Sequence, residues 1–307
     1  MSSATDSARN LPPGAASGSN LRRRQDLPTT VDTFHYRTPT RTRSPEPGAH
    51  PGTQRGPGME FRGHASLLAA PDPRRFDIAA TLRDPFNQVM VKVYTQRSAV
   101  PIRVLADVSA SMAFSGRCRK MGLLADFTES LARSAYRNGD PLAFTACDSD
   151  IRQELVLPLT RSSVAGGLIA AKLRNLVPTG ANSQGLIKAV EQVPPTRALV
   201  FLISDFHFPI PMLGSLLRDL ALHTVVPVVL RDSAEAVAPR YGVARIYDPE
   251  TGAERLLWLR PALARRLEQS VADRACALVA CCARFGLTPL FLEDRFEADA
   301  VTRYFYG

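Results

Sequence analysis

The sequence predicts a doubly wound α/β domain, a mostly parallel sheet with one antiparallel edge strand in the Rossmann-like manner. Three observations carry this. Short apolar runs at 102–107, 142–147, 198–204 and 224–230 alternate with segments whose apolar residues recur at helical spacing. Continuous apolar strands set between amphipathic helices belong to a sheet buried on both faces. Two of these strands close on an acid, Asp107 and Asp205, at the end where open α/β sheets collect their ligands.

Residues 1–30 are rich in Ser, Pro, Gly, Asn and Arg and have few bulky apolar residues. They cannot bury enough surface to offset ordering entropy, so a disordered tail is expected. In 31–60, Phe34-His35-Tyr36 is an apolar island, while Pro47-Gly48 and Gly56-Pro57-Gly58 read as turns; the segment is expected along the surface of the folded part. Asp72-Pro73 and Asp84-Pro85 mark further turns, because the residue before proline is pushed out of the α region. Between them 77–83 reads as a helical turn, and 89–95 alternates like a strand.

Strand 102–107 leads to a helix over about 119–138, with Met121, Leu124, Ala125, Thr128, Leu131, Ala132 and Ala135 on one face. Gly139-Asp140-Pro141 should end it, glycine just past the helix and proline beyond. After strand 142–147, Asp148-Ser149-Asp150 is a tight turn into an expected strand at 151–157. So short a link allows only an antiparallel neighbour. Helices near 162–176 and 184–193, strand 198–204, a helix at 212–222 and strand 224–230 follow. Beyond them 244–259 reads as a hairpin over Pro249-Glu250-Thr251-Gly252, then a helix at 261–284, a strand at 287–292 and a closing helix to Phe305. The expected organisation is a tail (1–30), an N-terminal segment packed on the core (31–100), the α/β domain (101–235), and a C-terminal hairpin, long helix and closing strand and helix (236–307).

Composition narrows the function. Of 307 residues 45% are hydrophobic, enough for a substantial core, and no apolar run approaches the ~18 residues that span a bilayer. The first residues lack the apolar stretch of a secretory signal, so a cytoplasmic location is expected. Five cysteines form no C-x-x-C pair and read as reduced core thiols rather than disulfides or a zinc site. The five histidines show no metal-ligand spacing. The net charge of +9 is spread along the chain and has no aromatic-interleaved basic stripe, so nucleic acid is not the expected partner. G-x-x-x-x-G-K-[ST], G-x-G-x-x-G and G-x-S-x-G are all absent.

The most informative stretch is Asp107-Val108-Ser109-Ala110-Ser111. It offers one carboxylate and two hydroxyls on the exposed rim expected at a strand end. One carboxylate with neutral oxygens and several waters suits Mg²⁺, which demands octahedral geometry and dehydrates reluctantly. Asp205 repeats the placement and would serve the metal directly or through water. His207 beside it reads as a rim or packing residue.

The D-x-S-x-S pattern resembles the metal-ion-dependent adhesion site of von Willebrand factor A domains. Phe34-His-Tyr36, Gly58-Met-Glu-Phe61, Pro71-Asp-Pro-Arg-Arg-Phe-Asp77, Arg83-Asp-Pro-Phe86, Ser134-Ala-Tyr-Arg-Asn-Gly-Asp140 and Asp248-Pro-Glu-Thr-Gly252 extend the likeness. They point to the von Willebrand factor A-like proteins encoded beside MoxR-type AAA+ ATPases, closest to the MxaS-like group of methanol-oxidation clusters. The resemblance implies a third metal-binding loop, here 177–186. A straight alignment puts Asn182 at the family's threonine, with Thr179 three residues earlier and Ser183 one later; any of the three could supply the oxygen.

The resemblance also implies a non-enzymatic adaptor. Mg²⁺ or Mn²⁺ at the site would bind a client's carboxylate and couple the client to the ATPase, for maturation or metal loading of methanol dehydrogenase or another enzyme. The competing classes are a metal-dependent phosphoesterase and, behind it, a basic RNA-binding protein.

Overall fold

The computed structural model describes residues 32–38, 47–180, 182–236, 242–247, 254–259 and 261–307. The expected tail at 1–30 and the turn at 248–252 lie outside them. The described strands are β1 (Pro47–Ser66), β2 (Met90–Ser98), β3 (Ile102–Asp107), β4 (Leu142–Cys147), β5 (Leu157–Thr160), β6 (Leu199–Ser204), β7 (Thr224–Arg231), β8 (Gly242–Tyr247), β9 (Glu254–Leu259) and β10 (Leu290–Glu293). The helices are α1 (Ile78–Arg83), α2 (Lys120–Asn138), α3 (Ser163–Asn175), α4 (Gly185–Glu191), α5 (Ile210–Asp219), α6 (Pro261–Ala283) and α7 (Ala298–Tyr306).

The central sheet has the order β10-β7-β6-β3-β4-β5. Its neighbours are parallel except β5, which runs antiparallel to β4 at the edge. Side chains alternate between two cores, as pleating requires. Val104, Ala106, Phe201, Ile203, Val226 and Val228 meet α2, α3 and α7 on one face. Leu105, Val200, Leu202, Val225 and Val229 meet α4, α5 and α6 on the other. Helix α2 ends where expected, at Gly139 with φ 73°, a left-handed value that glycine adopts without Cβ strain.

Four expectations need correction. The antiparallel edge strand begins at Leu157, not at 151, because a single bridge from Cys147 to Ile151 and a 3₁₀ turn at Gln153–Leu155 use up the intervening residues. The turn signals at 47–58 fall within β1, whose ladder with β2 breaks register at several points; those irregularities absorb the prolines and glycines. Phe34 and Tyr36 do not lie on the surface. Both are buried in the α2-side core, Phe34 stacked on Phe127 at 5.6 Å, and the Phe34 N–H donates to Ser134 Oγ at 3.0 Å. Burying a side chain of this size stabilises by roughly 1.5–3 kcal/mol, so this segment is an integral part of the fold. Lastly, β10, expected to follow the α/β domain, is an edge strand of its sheet, parallel to β7.

The connections position the site. β3 passes through α2, on one face, to β4 on one side; β6 passes through α5, on the other face, to β7 on the other side. The crevice between the carboxyl ends of β3 and β6 is therefore the switch point, where an open sheet leaves room for a ligand. Asp107 and Asp205 flank it.

Candidate functional site

Asp107 is the last residue of β3 and is fully buried, not on the exposed rim that its strand-end position suggested. Its Oδ1 accepts the Ser109 N–H at 2.9 Å, which folds the chain back after the strand. Its Oδ2 accepts the hydroxyls of Ser183 at 2.9 Å and Ser204 at 2.7 Å. Ser204 Oγ in turn accepts the Phe206 N–H at 2.8 Å. Burial, and next the charge of Asp205, push the Asp107 carboxyl above the usual aspartate range, against the pull of these hydrogen bonds.

Three hydroxyls converge beside this carboxylate. Ser109 Oγ lies 3.3 Å from Ser111 Oγ and 3.2 Å from Ser183 Oγ, and Ser111 Oγ donates to Asp205 Oδ1 at 3.2 Å. The loops are held by backbone bonds: Val108 N–H to Cys147 O and Ala110 N–H to Gly180 O, both 2.8 Å. Gly180 is required here, since a Cβ would sit 2.2 Å from Asp148 Cβ.

The third loop contributes Ser183. Thr179 is exposed, and Asn182 turns its side-chain carbonyl to the N–H of Gln184 at 3.0 Å. Neither of these two expected ligands reaches the cluster. The reason is local: Asn182 closes a turn on its own chain two residues on, a habit of Asn, and the next side chain points inward. Ser183 begins the turn into α4, whose Leu186 N–H bonds the Ser183 carbonyl at 3.1 Å.

Asp205 stands across the crevice, fully buried. Lys120, from the first turn of α2, places its ammonium 2.8 Å from Asp205 Oδ2 and 3.3 Å from the Ser111 carbonyl, and it also pairs with Glu235. Burial alone would raise the Asp205 carboxyl. The charges of Lys120 and His207 outweigh it and hold the carboxyl below its usual range. His207 is exposed on the rim, its Nδ1 3.6 Å from Asp205 Oδ2. Phe206, between them, is buried with φ 55°, a strained value for an aromatic residue. Arg274 from α6 fixes it by donating to the carbonyls of Phe206 and Phe208. A cleft along α6 opens onto Asp205, His207 and Glu235.

This donor set fits a small hard cation. Neighbouring vertices of an octahedron with Mg–O bonds of 2.0–2.1 Å are about 3 Å apart. Taken in the order Asp107, Ser183, Ser109, Ser111, successive side-chain oxygens lie 2.9, 3.2 and 3.3 Å apart. Lys120 and Glu235 escaped the sequence reading because Lys120 reads as an ordinary polar residue of a helix's first turn. The only available signal was its rarity in a chain whose basic residues are almost all arginine.

A second group, Cys118, Asp232 and Asp294, brings ligand-type atoms within 4.8 Å of one another. It is built for another purpose. The Asp232 carboxylate accepts the N–H groups of Gly116, Arg117, Cys118 and Ala234 at 2.6–3.1 Å, which ties the loop before α2 to the end of β7. These bonds outweigh the desolvation cost and lower its pKa to about 2. Burial, with the charge of Asp232, pushes the Cys118 thiol up to about 11.

Among known proteins, residues 71–275 match the family described as "Protein of unknown function DUF58". A Paracoccus denitrificans protein described as "Uncharacterized protein in moxR 3'region" is 42% identical over 99 residues, 32% of this chain and 94% of that one. Solved structures with similarity include an aerotolerance-related membrane protein from Bacteroides fragilis, with a TM-score of 0.36, 11% identity and coverage of 68% of this chain and 97% of that one. Another is the vWF domain of the type V pili tip protein Mfa5 from Porphyromonas gingivalis, with a TM-score of 0.33, 15% identity and coverage of 68% and 95%.

Proposed function

The chain belongs to the DUF58 family, and from the site at its switch point we propose that it is a metal-dependent adaptor without turnover of its own. Asp107, Ser109, Ser111 and Ser183 would hold Mg²⁺ or Mn²⁺, with Asp205 facing it across Ser111. The ion would supply a strong positive charge and an exchangeable ligand position. The side chains orient it and leave that position to an acidic residue of a client protein, a charge-assisted contact at the centre of an interface.

The observation that carries this reading is the convergence of three serine hydroxyls and the Asp107 carboxylate from two loops at one point of the sheet. A MoxR-type AAA+ ATPase is the proposed second partner. It is supported by the moxR-adjacent position stated for the Paracoccus relative, 42% identical over about a third of the chain. Maturation or metal loading of a client enzyme, methanol dehydrogenase being one candidate, is the process this pairing suits.

The test is co-purification of the chain with the neighbouring ATPase and its client in Mg²⁺ and in EDTA. Asp107→Asn is the variant to use: it keeps the shape, its carbonyl oxygen can accept the Ser109 N–H, and the Ser183 and Ser204 hydroxyls can turn to accept from its amide, whereas alanine would strand all three. Association lost in EDTA and in D107N, with an unchanged melting temperature, is the expected result. Association indifferent to both would overturn the metal-dependent reading. Hydrolysis of simple phosphoesters by the chain alone would replace it with the enzymatic one.

A further inference from the structure

Lys120 places a fixed positive charge where a cation site has no use for one. Its side chain is 0% exposed and that of Asp205 1%, so no partner can reach the ammonium directly. All three N–H groups are engaged: with Asp205 at 2.8 Å, the Ser111 carbonyl at 3.3 Å, and Glu235. The Phe114 ring lies 5.8 Å from the ammonium. Glu235, on the turn after β7, is partly exposed to the cleft along α6.

The charges decide what this does. Asp205 and Glu235 bring two carboxylates to the Lys120 ammonium, which offsets one of them. Asp205 therefore meets an arriving metal ion already paired, and the ion is repelled by the ammonium that pairs it. In a buried, weakly screened setting such a unit charge weighs more than any single hydroxyl ligand.

We infer that Lys120 is a built-in counter-cation that sets the affinity of this site for divalent metal, holding Asp205 back from the ion and sharing itself with Glu235. The inference rests on the metal reading above. It makes the site a weak cation binder on its own, one that gains its full hold on the ion when a partner's carboxylate adds the charge that Lys120 withholds.

The experiment is a calorimetric Mn²⁺ titration of the full chain, with thermal melting in parallel, for wild type, Lys120→Met, Glu235→Gln and the double variant. K120M keeps an unbranched side chain, one atom shorter, and removes the charge; it should bind Mn²⁺ about tenfold more tightly or better. E235Q should bind more weakly than wild type, because it removes an attracting charge and leaves Lys120 to Asp205 alone. The double variant should bind more tightly than E235Q, and it carries the test if K120M fails to fold. Mn²⁺ affinities that stay level, or that fall in all three variants, would overturn the inference and assign Lys120 a purely structural role. No binding by wild type or any variant would overturn the metal reading and this inference together. Binding by K120M but not by wild type would support the counter-cation and remove the ion from the unassisted protein.

Discussion

Ser183 donates its hydroxyl to Asp107 at 2.9 Å across 76 positions of sequence. The bond joins the loop before α4 to the end of β3, and it makes Ser183 the member of the third loop that belongs to the cluster. Ser183→Ala should lower Mn²⁺ affinity about tenfold, the scale of one lost oxygen ligand or oriented hydroxyl. Thr179→Ala should leave affinity unchanged. A calorimetric titration compares the two, and a loss confined to T179A would mean that the third loop is arranged differently.

Gly180 offers a second handle on the same loop. Gly180→Ala drives a Cβ to within 2.2 Å of Asp148 Cβ and forces the loop away from the β4 turn. Overpacking of this kind costs about 1–3 kcal/mol. Because Ser183 lies three residues on, the variant should lose both melting temperature and Mn²⁺ affinity. A loss of stability with metal affinity intact would show that Ser183 is positioned from the α4 side alone.

The reach of the sequence is clearest at this site. Asp107 and Asp205 were legible because each closes a mostly apolar run, and such runs become parallel strands whose carboxyl ends face one way. Ser109 and Ser111 followed from their spacing. Ser183 was legible only as one of three alternatives, since nothing in Thr179-Gly180-Ala181-Asn182-Ser183 states which side chain a tight turn directs inward. Lys120 was hidden because its partners, Asp205 and Glu235, stand 85 and 115 positions away. The segment around Phe34 was misjudged because packing against α2 decides its place, and β1 because pairing with β2 overrides local turn signals.

Asp232 gives a pH prediction with a definite sign. Its native pKa is lowered to about 2 from an ordinary 3.8, so its contribution to stability is complete above about pH 4 and is lost as pH falls toward 2. Asp232→Asn should cost about 1–3 kcal/mol at neutral pH, the worth of hydrogen bonds to a charged group. The difference from wild type should shrink on acidification through that window. Chemical denaturation at pH 7, 4 and 2.5 measures it, and a gap that widens toward low pH would contradict the role assigned to the carboxylate.

At the opposite end of the sheet, Asp140 is fully buried and accepts from Tyr36 Oη at 2.5 Å, from Val100 N–H at 2.8 Å and from the His50 ring at 2.7 Å. This cluster ties the N-terminal segment to the domain. Tyr36→Phe removes one donor and should cost about 1–2 kcal/mol. Mn²⁺ affinity should not change, because Tyr36 bonds at the amino ends of the strands and the proposed metal ligands stand at the carboxyl ends. A Y36F protein with wild-type stability would mean that aromatic packing alone holds the segment.

The switch-point crevice also has a place in time. The bonds that close it between the ends of β3 and β6 are long-range: Ser204 reaches Asp107 over 97 positions and Ser111 reaches Asp205 over 94. Helices such as α2 can form from local contacts, whereas the β3–β6 pairing that brings the two aspartates together must first close a loop of that length, which makes it slow. On refolding from denaturant, helical signal should therefore return before the protein regains its hold on Mn²⁺. Recovery of Mn²⁺ binding would thereby serve as a clock for the last step of folding, and a chain ended before β6 would keep Asp107, Ser109, Ser111 and Ser183 yet lose Ser204 and Asp205, the strand-end residues that bond Asp107 and Ser111 in the closed crevice.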